Sequence, residues 1–474
     1  MFFISKVPIT YYSKHRDFAL FKKCLSRDYK INVFLLILVI FFTIFNIYFI
    51  DFFFGGFIVN LYRFFAYVVT LVCIFSFNYS VFADEENFEE TLNVSDFIQS
   101  SVPVTTEPNI NSRVAIVYDR VSGTVLYGKN ENEKRKMAST TKIMTAIIVL
   151  ENSDLNTIVT VSSKAAGTGG SRLGLHSNDK ISVLNLLYGL LLCSGNDAAV
   201  ALAEHVSGSI SGFADLMNNK CSELGLISSH FVTPHGLDNE DHYTTAYELA
   251  IITNYALKND TFLKIVSTKS YTVTINNSSK TLSNTNELLG NLNGVYGVKT
   301  GFTNGANRCL VTSVKRGDLD LICIVLGADT KKDRTKDSIA LIEYIFKNFE
   351  AINIKDKINA EFENWKSCNL NNFQITKGVS NNVALKFDDL PYDFLPVNSN
   401  LIDKVCIYIY CNSNLKAPLS PDTVIGYITV SIDSKQVLTL NIVNSNYIPQ
   451  KKSSDFFNEM LQNYIYNLES IFFY

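Results

Sequence analysis

The chain has 474 residues, enough for two domains with substantial cores. Its formal net charge is -3, with 42 Lys and Arg against 45 Asp and Glu, so it lacks the basic footprint of a nucleic-acid binder. Its 34 Phe and 24 Tyr, with Asn, Ile and Lys recurring throughout, look like a coding bias, which weakens any one aromatic cluster as a functional signal.

Two apolar blocks open the chain. Ile31–Ile50 carries no charge and has the length of a bilayer span. A second block, Phe64–Phe77, follows Arg63 and leads into Asn78-Tyr79-Ser80-Val81-Phe82-Ala83 and acidic Asp84-Glu85-Glu86. A cationic flank, an apolar run and small residues form a secretory leader, with cleavage expected after Ala83. Two such segments in series have two explanations. The first block is a membrane helix, or translation begins near Leu61 at a non-standard start codon; the second explanation is preferred. Residues 1–83 are thus read as membrane segment and signal peptide on the first explanation, and as a mis-assigned start followed by a signal peptide on the second. Residues 84–108 turn acidic and then Ser/Thr/Pro-rich, the composition of a linker.

From Arg113 to Gly128 the pattern is strand, turn, strand: Val114, Ile116 and Tyr118 alternate, Ser122-Gly123 turns, and Val125 and Tyr127 resume. A helix is expected after Ser139. Residues 180 to about 265 read as mostly helical, with loops near Ser228 and Asn239. Three strand-like runs fill Gly294–Ala328, turning at Lys315-Arg316-Gly317-Asp318, and a helix covers about Asp333–Asn348. Strands from both ends of residues 109–350 would build one antiparallel sheet, with helices inserted between them, which is an α+β arrangement. Residues 354–447 alternate short apolar runs with turn residues and read as a small β-rich domain. In the tail, 453–474, Phe456, Phe457, Met460, Leu461, Tyr464, Ile465 and Leu468 share one helical face.

Nine cysteines are scattered, with no C-x-x-C pair and no zinc-ligand spacing to histidine, so free thiols and no metal site are expected. Cys406 and Cys411 are near in sequence, but spacing alone does not bring their Cα atoms together.

Three short motifs stand in order: Ser139-Thr140-Thr141-Lys142, Ser194-Gly195-Asn196 and Lys299-Thr300-Gly301. Each alone is weak; together, in suitable local structure, they are a strong signal. Residues three apart on a helix share a face, so Lys142 can reach Ser139. A serine hydroxyl needs a neighbour to take its proton. Lysine can do this only when uncharged, which burial or a second cation such as Lys299 promotes. Ser194 can relay a proton, and Asn196 can hydrogen-bond a substrate amide. Lys299 and Thr300 can bind a substrate carboxylate, and Gly301 lets a ligand approach the strand backbone. The turn at Ser139 offers unpaired N–H groups, half of an oxyanion hole.

At these residues the chain resembles the low-molecular-mass penicillin-binding proteins, the D-alanyl-D-alanine carboxypeptidase family of serine peptidases. The likeness extends through Met137–Ala146, Leu191–Ala199, His235-Gly236-Leu237-Asp238, His242–Ala246 and Gly297–Thr303, and covers about 109–350. Leu415-Lys416-Ala417-Pro418-Leu419 and the strands after it resemble the family's C-terminal domain more loosely. The resemblance implies a penicillin-binding/β-lactamase-like catalytic domain, in which the penultimate D-Ala of a peptidoglycan stem peptide acylates Ser139 and the terminal D-Ala leaves. Lys142 would be general base, assisted by Ser194 and Lys299. Backbone N–H groups of Ser139 and Phe302 would form the oxyanion hole. β-Lactams would acylate the same serine, with no metal or organic cofactor. The family's terminal amphipathic helix lies on the membrane, so the resemblance places the enzyme outside the cytoplasm, in the cell envelope.

This chain departs from the family in two places. Ala306-Asn307 stands where Ala-Gly is common, which puts the local hairpin geometry in question. The tail helix carries Asp455, Glu459 and Glu469, with Lys451 and Lys452 only at its start, so its attraction to anionic lipid is weak. Rival functions are a class A-like β-lactamase, a D,D-endopeptidase and a non-enzymatic β-lactam-binding wall protein. The first deacylates with the glutamate of a Glu-x-x-Leu-Asn loop. Glu204, Glu223, Glu240, Glu248 and Glu287 lie in that interval, and none heads such a motif. Arg334 reads as an exposed residue at a helix start. His235 and His242 read as structural, because a lysine mechanism needs no histidine.

Overall fold

A computed structural model describes residues 94–98 and 107–472. The expected membrane block, the leader and most of the 84–108 linker lie outside these residues.

Residues from both ends of the first region do meet in one sheet. β1 (Val114–Asp119) and β2 (Val125–Lys129) join β3 (Val295–Thr303), β4 (Asn307–Arg316) and β5 (Leu319–Ala328) in the order β2-β1-β5-β4-β3, all antiparallel. The first hairpin closes on the last strand, which leaves β3 at an edge. The central strands read as continuous apolar runs because both faces are covered. Val114, Ile116 and Tyr118 pack with Ile322, Ile324 and Leu326 against one layer of helices. Ala115 and Val117 pack with Leu321, Cys323 and Val325 on the opposite side. The first layer holds α1 (Lys142–Asn152), α2 (Val183–Leu191), α3 (Asn196–Ser207), α4 (Ile210–Glu223), α5 (Ala246–Ala256) and α6 (Asp260–Val266). α7 (Lys331–Asn348) covers the other face with Ile339, Ile342 and Ile345.

Between α6 and β3 lies a hairpin not anticipated from the sequence, Ser270–Ile275 with Ser278–Ser283. Its turn, Asn276-Asn277, has φ of 49° and 67°, the left-handed pair that a two-residue hairpin turn requires and asparagine tolerates.

The second region has its own apolar core. β6 (Phe349–Asn353) leads into α8 (Ile354–Asn369). β7 (Leu385–Phe387), β8 (Phe394–Asn398), β9 (Val405–Cys411), β10 (Val424–Ile432) and β11 (Lys435–Asn444) follow. β6 pairs with β8, and the others form an antiparallel sheet ordered β7-β11-β10-β9. Within the β-rich region, residues 354–369 form a helix that the sequence reading did not anticipate. Asn353 caps the helix by accepting from the Asp356 N–H, and Ile354, Ile358 and Phe362 recur at helical spacing on its buried side.

Cys406 and Cys411 both lie on β9, five positions apart, so alternation points them to opposite faces. All described cysteines are free thiols. The tail forms α9 (Ser453–Phe472), along which Phe456, Phe457, Met460, Leu461, Tyr464, Ile465 and Leu468 are exposed. No described helix is long and apolar enough to cross a membrane.

Candidate active site

The three motifs converge between the helical layer and edge strand β3. Ser139 sits in a 3₁₀ turn, Ala138–Thr141, that runs directly into α1. The turn begins under backbone strain, since Ala138 has φ of 48°. It is held by Thr140, whose hydroxyl donates to the Met137 carbonyl at 2.6 Å. One turn on, Lys142 is fully buried. Its Nζ lies 2.7 Å from Ser139 Oγ, 3.2 Å from Ser194 Oγ, 2.6 Å from Asn196 Oδ1 and 3.2 Å from the His235 carbonyl oxygen. Those four acceptors are two hydroxyls, an amide oxygen and a main-chain oxygen.

Ser194 and Asn196 come from the sharp turn between α2 and α3. Ser194 is buried and left-handed, with φ of 61°, which aims its hydroxyl back at Lys142. Asn196 opens α3. Its Nδ2 donates to the Gly169 carbonyl at 2.8 Å, so its amide nitrogen already has a partner in the loop above it. That loop passes very near: a Cβ on Gly170 would stand 2.5 Å from Asn196 Nδ2.

On β3, Lys299 and Thr300 are buried despite their polarity. Lys299 Nζ donates to the Thr300 carbonyl at 2.9 Å, and its charge acts on the thiol of Cys193, the neighbour of Ser194. The Thr300 and Thr285 hydroxyls are 2.7 Å apart. At Gly301 the strand backbone comes close to the nucleophile turn. A Cβ there would lie 3.1 Å from the Ser139 nitrogen and 3.2 Å from Ala138 Cβ, wedging strand and nucleophile apart. Phe302 follows, its ring covered by the Arg308 guanidinium 3.7 Å from the centroid.

Asn307 resolves the question raised by the missing glycine. It takes φ of 60° and the hairpin closes normally, with Thr303 opposite Asn307. Asp238 ties the turn to the helical layer. It accepts from the Thr303 hydroxyl at 2.6 Å and from the Gly305 N–H at 2.8 Å.

The two histidines brace the site. His242 Nδ1 accepts from the Val232 N–H at 2.9 Å, so Nε2 carries the hydrogen toward Thr141 Oγ1 at 2.8 Å. Burial holds its pKa down at about 4, helped by His230. Burial and the nearby Lys142 charge hold His235 down at about 3. Cys193 is pushed up to about 11, chiefly by burial, which makes it an inert thiol beside the serine.

Two residues do more than the sequence reading gave them. Asp197 is fully buried, and its carboxylate accepts from the N–H groups of Leu173, Gly174, Leu175 and Ala198 at 2.8–2.9 Å. It therefore ties the loop over Asn196 to the first turn of α3. Its position beside the Ser-Gly-Asn motif was the available signal. Arg334 is buried, not exposed, and is paired with Glu287, which also accepts from the Thr335 hydroxyl. Lying in the first turn of a helix packed on a sheet, it is covered where a free helix start would be open.

Among the described residues, no cluster of His, Cys, Asp and Glu is suited to hold a metal. The chemistry on offer is that of a serine, a buried lysine and a second serine in one hydrogen-bonded group.

Comparison with known proteins identifies the family and the fold. The sequence pattern described as D-alanyl-D-alanine carboxypeptidase matches residues 101–330. The D-alanyl-D-alanine carboxypeptidase DacF of Bacillus subtilis is 36% identical over 266 residues, 55% of this chain and 68% of that protein. DacA of Haemophilus influenzae, of the same description, is 31% identical over 351 residues, 71% of this chain and 85% of that one. Among solved structures, penicillin binding protein 5 from Haemophilus influenzae superposes with a TM-score of 0.61 at 29% identity, covering 73% of this chain and 100% of that one. The α+β fold is thus shared, second region included.

Proposed function

The chain belongs to the D-alanyl-D-alanine carboxypeptidase family of serine peptidases, and on that premise we propose that it trims peptidoglycan stem peptides through an acyl-enzyme on Ser139. Lys142 takes the Ser139 proton as Oγ bonds to the carbonyl carbon of the penultimate D-Ala. This step needs Lys142 as the uncharged amine. The oxyanion that forms is met by the N–H groups of Ser139 and Phe302. As the peptide bond breaks, the proton passes through Lys142 and Ser194 to the nitrogen of the departing D-Ala. Water then adds to the ester and gives its proton to the same amine, which returns it to Ser139. Lys299 and Thr300 bind the terminal carboxylate, and Asn196 and Gly301 position the peptide backbone.

One observation carries this reading: Lys142 Nζ stands within hydrogen-bond reach of both Ser139 Oγ and Ser194 Oγ. A β-lactam would follow the first half of the path. Its leaving nitrogen stays tethered, and no glutamate between the second and third motifs heads a Glu-x-x-Leu-Asn run, so the adduct would persist. The test is labelled penicillin followed by denaturation. A covalent adduct is expected in the parent and none in Ser139→Ala; undiminished labelling of the variant rejects the assignment. D-Ala release from a peptide ending in D-Ala-D-Ala, with none from one ending in L-Ala-L-Ala, checks the stereochemistry.

The same reading places residues 109–350 as the catalytic domain and the β-rich region as an accessory domain, exported by the leader before residue 84. α9 would rest on the membrane surface through its apolar face, with few basic residues to strengthen it. Vesicle flotation with and without residues 453–474 tests that contact.

A further inference from the structure

The sheet β7-β11-β10-β9 turns one face to its core and the other to solvent. On β9 the alternation is regular: Val405, Ile407 and Ile409 are partly buried, while Cys406, Tyr408 and Tyr410 are exposed. The register carries the outer face across the sheet. Tyr410 stands opposite Tyr427, which stands opposite Asn441; Tyr408 stands opposite Thr429, which stands opposite Thr439. Paired residues in an antiparallel sheet share a face. Tyr408, Tyr410 and Tyr427 are 60%, 57% and 47% exposed. The Tyr410 and Tyr427 rings lie 5.3 Å apart at 31°, and Tyr408 is about 7 Å further along the strand, so the three form a broad shallow plate.

What this plate lacks identifies its partner. None of these six positions is charged. Charge stands at the margins, where Asp388 accepts from Asn441 Nδ2 at 2.8 Å and exposed Lys404 pairs with Asp433 at 2.9 Å. An anionic lipid surface or a nucleic acid would call for Lys and Arg among the rings. An uncharged polymer with C–H faces and hydroxyls matches a surface of aromatic rings, hydroxyls and an amide. We propose that this face binds the glycan strand of the wall, an amino-sugar polysaccharide. Its sugar rings stack on Tyr408, Tyr410 and Tyr427, and its hydroxyl and acetamido groups bond to Thr429, Thr439 and Asn441. The proposal deepens, and rests on, the reading of the enzyme as a stem-peptide peptidase: the accessory domain holds the polymer whose side branches the active site trims.

The probe is insoluble chitin, an uncharged N-acetylglucosamine polymer, sedimented with the full chain. The parent is retained, and Tyr408→Ala/Tyr410→Ala/Tyr427→Ala binds about tenfold more weakly. The corresponding triple Phe variant keeps its binding, because stacking needs the ring and not the hydroxyl. Turnover of a soluble D-Ala-D-Ala peptide stays within about twofold in both variants, which reports that they are folded. Undiminished retention of the Ala variant overturns the proposal, as does a parent that does not sediment with glycan. So does an Ala variant that loses self-association or vesicle binding while keeping glycan. If the triple variant loses soluble turnover, Tyr410→Ala replaces it, with soluble chito-oligosaccharide competing against the parent; absence of competition overturns the idea. Glycan retention reads this proposal alone, and soluble-peptide turnover reads the catalytic one alone.

Discussion

The two regions of this molecule bury different things. Around the active site the interior holds Lys142, Lys299, Asp197, Glu248, Arg334 and Asp337, each nearly or wholly removed from solvent. From Phe349 onward, the only buried polar side chains among the described residues are Ser431 and Asn444. Strain divides in a similar way. Left-handed non-glycine residues stand inside the catalytic group at Ala138 and Ser194, whereas beyond Phe349 they are Lys377, Asp422, Asp433 and Ser434, outside the named strands. A buried charge or a strained residue costs stability, so it persists where surrounding contacts over-determine it and the strain serves the mechanism. The second region is free of that demand and packs as an apolar sheet against a helix.

Substitutions that strike one region and spare the other test this contrast. The largest effect is expected of Lys142→Arg. It keeps a long basic side chain in place but one that stays charged and cannot take the serine proton, so turnover of a soluble D-Ala-D-Ala peptide should fall about 10³-fold or more. Turnover near the parent rate would remove Lys142 from the proton path. Next is Ile428→Ala, in the apolar core of the second region. It should cost about 3 kcal/mol in denaturant melts while leaving kcat in the folded protein within about twofold. A large kcat change would show that the two regions are catalytically coupled.

Asp197→Asn comes next. Four N–H groups that now point at a carboxylate would face a weaker acceptor and an NH₂ group, at a cost of about 2 kcal/mol. Because the loop it holds also carries the Asn196 partner Gly169, kcat should fall together with stability. Full activity in a destabilised variant would make Asp197 a purely structural anchor.

The smallest effect is a pH dependence. Burial first, and then a neighbouring positive charge, holds His242 at about 4 and His235 at about 3, against an ordinary value near 6.5. The unfolded chain therefore takes up protons that the native state refuses. This stabilisation is complete above about pH 6.5 and is lost as pH falls toward 4. Thermal melts across that window should decline with acid, and His242→Gln should flatten the decline. An unchanged slope would show that His242 is not responsible.

Much of the catalytic half was legible because its signals are local or strongly patterned. Ser139 and Lys142 are one turn apart, Val114–Asp119 reads as a strand, and Lys299-Thr300-Gly301 lies on another. What escaped depends on distant partners. Asp197 looks like an ordinary acidic residue in a first helical turn until the loop at Leu173–Leu175 folds over it. Arg334 looks exposed until Glu287 arrives from 47 residues earlier in the chain. The helix Ile354–Asn369 was hidden because its apolar stripe is thin, three fully buried side chains among many charges. The hairpin at Ser270–Ser283 has mostly exposed strands, and its Asn276-Asn277 turn was its one firm signal.

The surroundings of the Lys142 amine have a mechanical corollary. Four oxygens crowd a nitrogen that, when neutral, has two hydrogens and one lone pair. Asn196 Oδ1 and the His235 carbonyl can hold the two hydrogens while the lone pair faces a serine. Handing a proton from one serine to the other then asks the amine only to pivot in place. On the proposed path the proton transfers are displacements of light nuclei inside a stationary cage, so adding a viscogen should slow product escape and leave those transfers untouched.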